Sequence, residues 1–366
     1  ISFLNLRFLD DNKQSGQLAY DPKVHKFGHS VWGSEVDTRR IEFSGKLGYV
    51  NPEIPYQSLG LQVSYSSHNQ DSYFGNRTYE IDHKSVFTNL IYNTIISDSR
   101  HKIKTGVGYS HDTYNEEVST IDYSRNENAV GGFFEYSFDN LDIQFRAARQ
   151  TSKNNNRNYI PVTALQGGNA LSPTRRGLAE FEDNRFEFSL YEIFATYNLD
   201  SDGFNMNITG GYSYQEDNFR NRGFGLGDFP DDSMDFSYNI DASQDLNNAG
   251  FITANSYKGP NNKIIAFFGR ANVVIDDAIY VNASVRREGS TKLGEGNKWG
   301  TFPAFGIGAD LNNYLGTDFD QLKIRVGYGE TGSLPGPTGL YQIVYNFGYD
   351  SGGSGNTSQA RAANPD

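Results

Sequence analysis

The chain has no cysteine in 366 residues, which excludes a disulfide framework and a thiolate metal site. No apolar run approaches the ~18 residues that a membrane-spanning helix needs, so helical insertion is excluded too. Positive charge is the minority sign: 32 Lys and Arg stand against 44 Asp and Glu, a net charge of -12. A nucleic-acid partner calls for the opposite balance, and none is expected. The opening residues ISFLNLRF hold no initiating Met, charged n-region or signal-like apolar stretch. The reading is an export signal already removed, or an internal piece of a longer chain.

The mean hydropathy of -0.61 does not exclude a membrane. A β-barrel crosses lipid with every second residue apolar, and its average is hydrophilic. That alternation is what the chain has. In residues 203 to 216, Phe204, Met206, Ile208, Tyr212 and Tyr214 share one register while Asn205, Asn207, Thr209, Ser213 and Gln215 share the other. The same pattern runs through Leu61, Val63 and Tyr65, through Leu141, Ile143, Phe145 and Ala147, and through Leu322, Ile324, Val326 and Tyr328. Successive side chains of a strand face opposite ways, so each segment has an apolar and a polar face. The polar register carries Lys102, Lys104, Arg146, Lys323 and Arg325, as a hydrated interior would.

Aromatics are abundant, with 24 Tyr and 26 Phe against 2 Trp. Tyr49, Tyr65, Tyr109, Phe138, Tyr214 and Tyr328 lie near the ends of their runs, where an interfacial girdle would place rings. Roughly fourteen strand-like segments are read, with short connections alternating with long ones. The tight turns hold NPEIPYQS, SDSR, SFDNLD, DSDG and DDA. The long connections are expected at 10–35, 70–79, 114–127, 150–184, 217–262 and 288–299. The fold expected is an all-β transmembrane antiparallel β-barrel, with residues 1–350 as strands and loops and 351–366 as a flexible Gly/Ser-rich loop or tail.

Few residues suggest chemistry. His25 and His29 are four apart, but no helical pattern surrounds them to bring them to one metal. Asp10, Asn12 and Gln14 lack the acidic ligands and closing Glu of a calcium loop, and read as a polar loop. GLGDFPDDSMDF, residues 225 to 236, joins carboxylates to aromatics and suits ligand contact better than acid–base catalysis. No Ser/His/Asp arrangement, phosphate loop or dinucleotide fingerprint occurs. No catalytic, cofactor-binding or metal residue is assigned, and no cofactor is expected. The candidates for ligand or lid contact are Phe224, Phe229 and Tyr257, able to stack on a sugar or pack on a partner.

The stretch IIAFFGRANVVIDDAIYVNASVRREGSTKLGEGNKWGTFPAFGIGADL, residues 264 to 311, followed by LKIRVGYGETGS, resembles the SusC-like (SusC/RagA) TonB-dependent outer-membrane transporters of Bacteroidetes. The likeness covers roughly residues 155–345. Residues 1–149 look like strands from another branch of TonB-dependent receptors, with the change of branch near residue 150. The resemblance implies part of a larger barrel of about 22 strands, whose plug domain and TonB box are not in this chain. It implies TonB-dependent import of an oligosaccharide or peptide across the outer membrane of a Gram-negative bacterium. It also implies a SusD-like surface lipoprotein and TonB as partners, with outer-membrane lipid around the barrel and no enzymatic activity. A passive porin, sealed by strands at 1–9 and 340–349, is the alternative; a soluble β-rich adhesin or enzyme is the second.

Overall fold

A computed structural model describes the chain except residues 1, 29, 55, 120, 166–175, 232, 234–238, 248–251, 316–321, 337–339, 350–354 and 362–366. The strands are β1 (Ser2–Gly16), β2 (Gly33–Val50), β3 (Ser58–Phe74), β4 (Arg77–Ile96), β5 (Asp98–Val118), β6 (Ile121–Phe138) and β7 (Leu141–Leu165). They continue as β8 (Arg176–Ser201), β9 (Phe204–Gly227), β10 (Thr253–Lys258), β11 (Asn262–Ile275), β12 (Ile279–Ser290), β13 (Trp299–Asp310) and β14 (Lys323–Gly329). All fourteen join one sheet, each paired with its neighbours in sequence except that β10 lies along the far end of β9 and β11 pairs with β9 directly. A separate pair is formed by β15 (Val344–Tyr349) and β16 (Gly355–Arg361).

Rows of directly opposed residues show the two faces. One row reads Leu47, Leu61, Leu90, Val107, Gly132, Ala147, Tyr191, Tyr214 and Ile265, apolar throughout. A row of the other face reads Lys102, Ser137, Asp142, Thr196, Thr209, Arg270 and Ser284, polar throughout. Within it Ser137 donates to Asp142, and the Thr196 and Thr209 hydroxyls lie 3.0 Å apart. Lipid cannot satisfy such groups, so the apolar face is the lipid side and the polar face the interior of a partial β-barrel.

The apolar band does not follow the rows. Its upper limit is Ile41 on β2, Tyr65 on β3, Tyr109 on β5, Tyr191 on β8 and Tyr328 on β14. The row through Ile41 meets β8 at Arg185, whereas the row through Tyr328 meets β8 at Tyr197. The band therefore slips about one residue per strand, which, for a rise near 3.3 Å and a strand spacing near 4.8 Å, is a tilt of roughly 35°. That is the inclination a membrane barrel requires.

Rings mark both edges of the band. Tyr65, Tyr109, Tyr214 and Tyr328 cap it at the upper edge, and Tyr49 and Phe138 lie at the lower edge. Tyr109 donates to Asn128 at 3.0 Å and Tyr214 to Glu216 at 2.6 Å, while Tyr328 donates to Glu330. Each ring is in lipid and its hydroxyl reaches the first polar residues above, the division expected at a headgroup boundary.

Bulk on the interior face fits around glycine. A Cβ at Gly211 would lie 2.5 Å from Phe194 Cβ and 2.6 Å from Phe268 Cζ, so the bare backbone there receives two rings. The short turns use left-handed residues, including Ser97 (φ 67°), Asp139 (φ 47°) and Gly203 (φ 70°).

Several connections are shorter than their composition suggests. Residues 70–79 and 114–127 are mostly strand, the hairpins closing between Phe74 and Arg77 and between Val118 and Ile121. The register that is apolar lower down carries Asp71, Thr78, Asn115, Glu117, Asp122, Ser124 and Asn126 there, so alternation vanishes while backbone pairing continues. Likewise β1 extends to Gly16, and Asn12 and Gln14 donate to Glu35 of β2 at 2.8 and 3.2 Å rather than lining a loop. Within 351–366, read as a flexible tail, Gly355–Arg361 is a strand paired with β15. β7 passes through residue 150 with unbroken register to both neighbours. The seal that a passive barrel of this length requires is not made among the described residues: β1 pairs with β2, and β15 with β16.

The two faces predict opposite responses to charge. Phe134→Arg, on the lipid side, should destabilise the full-length barrel in lipid vesicles by about 2–4 kcal/mol. Gln62→Arg, on the interior side, should cost under ~1 kcal/mol by comparison with exposed surface substitutions. Equal losses in denaturant unfolding would reject the assignment of faces.

Candidate functional site

Above the lipid band, β7, β8 and β9 continue together, and β10 widens the wall. β10 and β11 run along β9 as one strand broken by residues 259–261, which oppose Asn218 and Phe219. Pro260 has no N–H for the ladder, and Gly259 closes the bulge by donating its N–H to the Phe219 carbonyl at 2.8 Å. This irregularity places β10 beside the mouth.

On the interior face, one row across this wall is Tyr123, Asn156, Glu182, Gly223 and Asn255. The next row outward is Ile121, Asn158, Glu180, Gly225 and Thr253. Together they line an open cavity of about 380 Å³. The carboxylates are held by amides: Asn156 donates to Glu182 at 3.2 Å, Asn158 to Glu180 at 2.9 Å, and Asn221 to Glu182 at 2.6 Å. Such fixed acceptors can take hydroxyl or N–H donors from a ligand without reorganising. Gly223 keeps the floor open, since a Cβ there would lie 2.6 Å from Asn255 Oδ1. Phe186 and Phe219 oppose one another beside the cavity on the same face.

The aromatic candidates separate. Tyr257 pairs with Asn221, so it shares the interior face with Asn255, and it is half exposed. Phe224 points to the other face, stacked on Phe181 with ring centroids 4.6 Å apart. Phe229 is buried, 4% exposed, against Ala179 and Leu226, with Tyr159, Val162 and Ile240 around it. Its ring packs the β9–β10 connection to the wall. The same connection is pinned by buried Asp245, which accepts the Gly227 N–H, and by Ser243, which donates to the Gly227 carbonyl. Phe224 and Tyr257 lie in strands where loops were expected. Asn156, Glu182, Gly223 and Asn255 were missed; the run NNNRN at 154–158 was their one visible signal. Residues 232 and 234–236 of the 225–236 stretch lie outside the described residues, as does His29, and His25 Nδ1 accepts the Asp21 N–H at 2.9 Å.

A wall with a lipid-facing band, a tilted meander and a polar mouth defines an outer-membrane β-barrel. Comparison with known proteins sharpens this. No protein-family model matches the chain. By sequence it is similar to TonB-dependent receptor P3 of Formosa agariphila, 27% identical over 179 residues, covering 48% of this chain and 17% of that protein. It is similar also to TonB-dependent receptor SusC of Bacteroides thetaiotaomicron, 27% identical over 155 residues, covering 40% and 14%. By fold it is similar to the RagAB peptide importer in its closed-closed state, with a TM-score of 0.68 at 14% identity, covering 90% of this chain and 40% of that one. In the open-open state the TM-score is again 0.68, at 15% identity. The chain thus spans under a fifth of the curated relatives and two fifths of the solved chain. The resemblance to SusC-like TonB-dependent receptors stands, and the chain is an outer-membrane barrel wall of a Gram-negative bacterium.

Removing the buried carboxylate tests the packing of the mouth. Asp245→Ala strands the Gly227 N–H and should cost about 1–3 kcal/mol. Limited proteolysis of the full-length protein should then cut within 228–252 faster than in wild type, with the lipid-embedded strands unaffected.

Proposed function

We propose that this wall serves TonB-dependent import of an oligosaccharide or peptide, as the barrel part of a SusCD-type transporter. The observation that carries the reading is the interior cavity at the mouth, where Glu180, Glu182 and Asn255 present fixed polar groups beside Phe219 and Tyr257. A ligand descending from outside meets this face before the membrane-spanning band. By the resemblance, a SusD-like lipoprotein closes over the substrate and TonB, acting on a plug elsewhere in the protein, supplies the energy. Tyr257 contacts ligand from the interior face, and Phe224, on the exterior face, suits lid or loop contact. Phe229 acts through loop packing. No step in this reading breaks a covalent bond, and no enzymatic role is proposed.

Energised uptake separates this reading from a passive barrel. Cells carrying the full-length protein should accumulate labelled oligosaccharide or peptide, and a proton-motive uncoupler should reduce this at least tenfold. Gly223→Val, which fills the cavity floor, should weaken substrate binding about tenfold while leaving barrel assembly intact. Uptake indifferent to the uncoupler would transfer the protein to the porin class.

A further inference from the structure

The exterior face above the lipid band carries an arrangement that import does not explain. Lys153, Arg185 and Arg220 are directly opposed on β7, β8 and β9, and Lys258 of β10 is opposed to Arg220 in turn. All lie in the register of Ala147, Tyr191 and Tyr214, which faces lipid lower down the same strands. Like charges opposed on adjacent strands repel at ~5 Å and destabilise a sheet. With Arg222 and Asn155 the first three line a cavity of about 270 Å³.

Nearby acids neutralise this only in part. Glu187 holds Arg185 at 2.5 Å and Arg220 at 3.9 Å, and Asp183 is opposed to Arg222 and lines the same cavity. Five cations thus face two carboxylates. Among the described residues Lys153, Arg222 and Lys258 make no ion pair within 4.0 Å. The Arg185 Nε is buried and has no acceptor, a donor in want of an oxygen.

We propose that this cavity binds a phosphorylated sugar head group of an outer-leaflet lipid. The facing decides the source: the cations are on the lipid side of the wall, away from the path of a solute through the interior. The height agrees with a head group rather than acyl chains. Lys153, Arg185 and Arg220 each stand six residues above the last apolar position of their strands, which at the tilt above is roughly 16 Å. The chemistry agrees as well, because guanidinium groups bind phosphate bidentately and two or more converge here.

The test uses full-length protein in detergent and a diphosphorylated lipid A carrying its phosphorylated core sugars, with the enzymatically dephosphorylated lipid and inorganic phosphate as the other arms. Wild type should retain the phosphorylated lipid at least tenfold better than the dephosphorylated one. The triple variant Lys153→Gln, Arg220→Gln, Arg222→Gln should abolish that difference. The charge-preserving variant Lys153→Arg, Arg220→Lys should keep it, and a heat-dependent gel shift checks that all variants form folded barrels. Equal retention of both lipids, unchanged retention by the triple variant, or full displacement by millimolar inorganic phosphate would each overturn the assignment. A change of oligomeric state in the triple variant, with lipid retention unaltered, would give the patch to a protein contact instead.

Discussion

Hydrocarbon offers no hydrogen-bond partner, and this one deficiency organises the whole sheet. Every backbone N–H and C=O within the bilayer needs a partner on an adjacent strand. Once the ladder is fixed, side chains have two directions and no others, and the sequence must alternate wherever one direction is lipid. Leu61, Leu90 and Val107 lie side by side because register compels it, and Lys102, Ser137 and Asp142 are gathered on the opposite face by the same ladder.

Above the bilayer the constraint is lifted, and the strands continue for a different reason. Water can satisfy either face there, so both carry carboxylates, amides and guanidinium groups. The wall gains two chemically distinct surfaces on one backbone. Inside, Asn156, Asn158 and Asn221 hold Glu180 and Glu182 in place; outside, cations collect on the adjoining register of the same strands. The two chemistries are thereby separated by the thickness of a single sheet.

This also explains what the sequence revealed and what it hid. The membrane segments were legible because alternation there is enforced, and the six girdle aromatics could be placed from run ends alone. The distal ends of β3 (residues 70–74), β4 (77–79), β5 (114–118) and β6 (121–127) read as loops because stretches such as NEEV and SRNE show no alternation. The strand that carries Tyr257 could not be foreseen, since β10 depends on a bulge at Pro260 and on pairing with β9 far back in the chain. The interior position of Asn156 and Gly223 depends on long-range register in the same way. Phe229 looked like an exposed loop ring because nothing local announces Ala179 and Leu226 as its neighbours.

The closing of β3 onto β4 at residues 75–76 has a bearing on how such walls diverge. An insertion of two residues on each side of that turn adds a complete rung and leaves every side chain below it facing as before. An insertion of a single residue on one side inverts all positions between the turn and the next bulge, exchanging wet and greasy surfaces. Length variation above the membrane is therefore quantised in pairs. Descendants of this chain can grow taller or shorter hairpins freely by even steps, while odd steps survive only beside an irregularity such as residues 259–261 that absorbs the remainder.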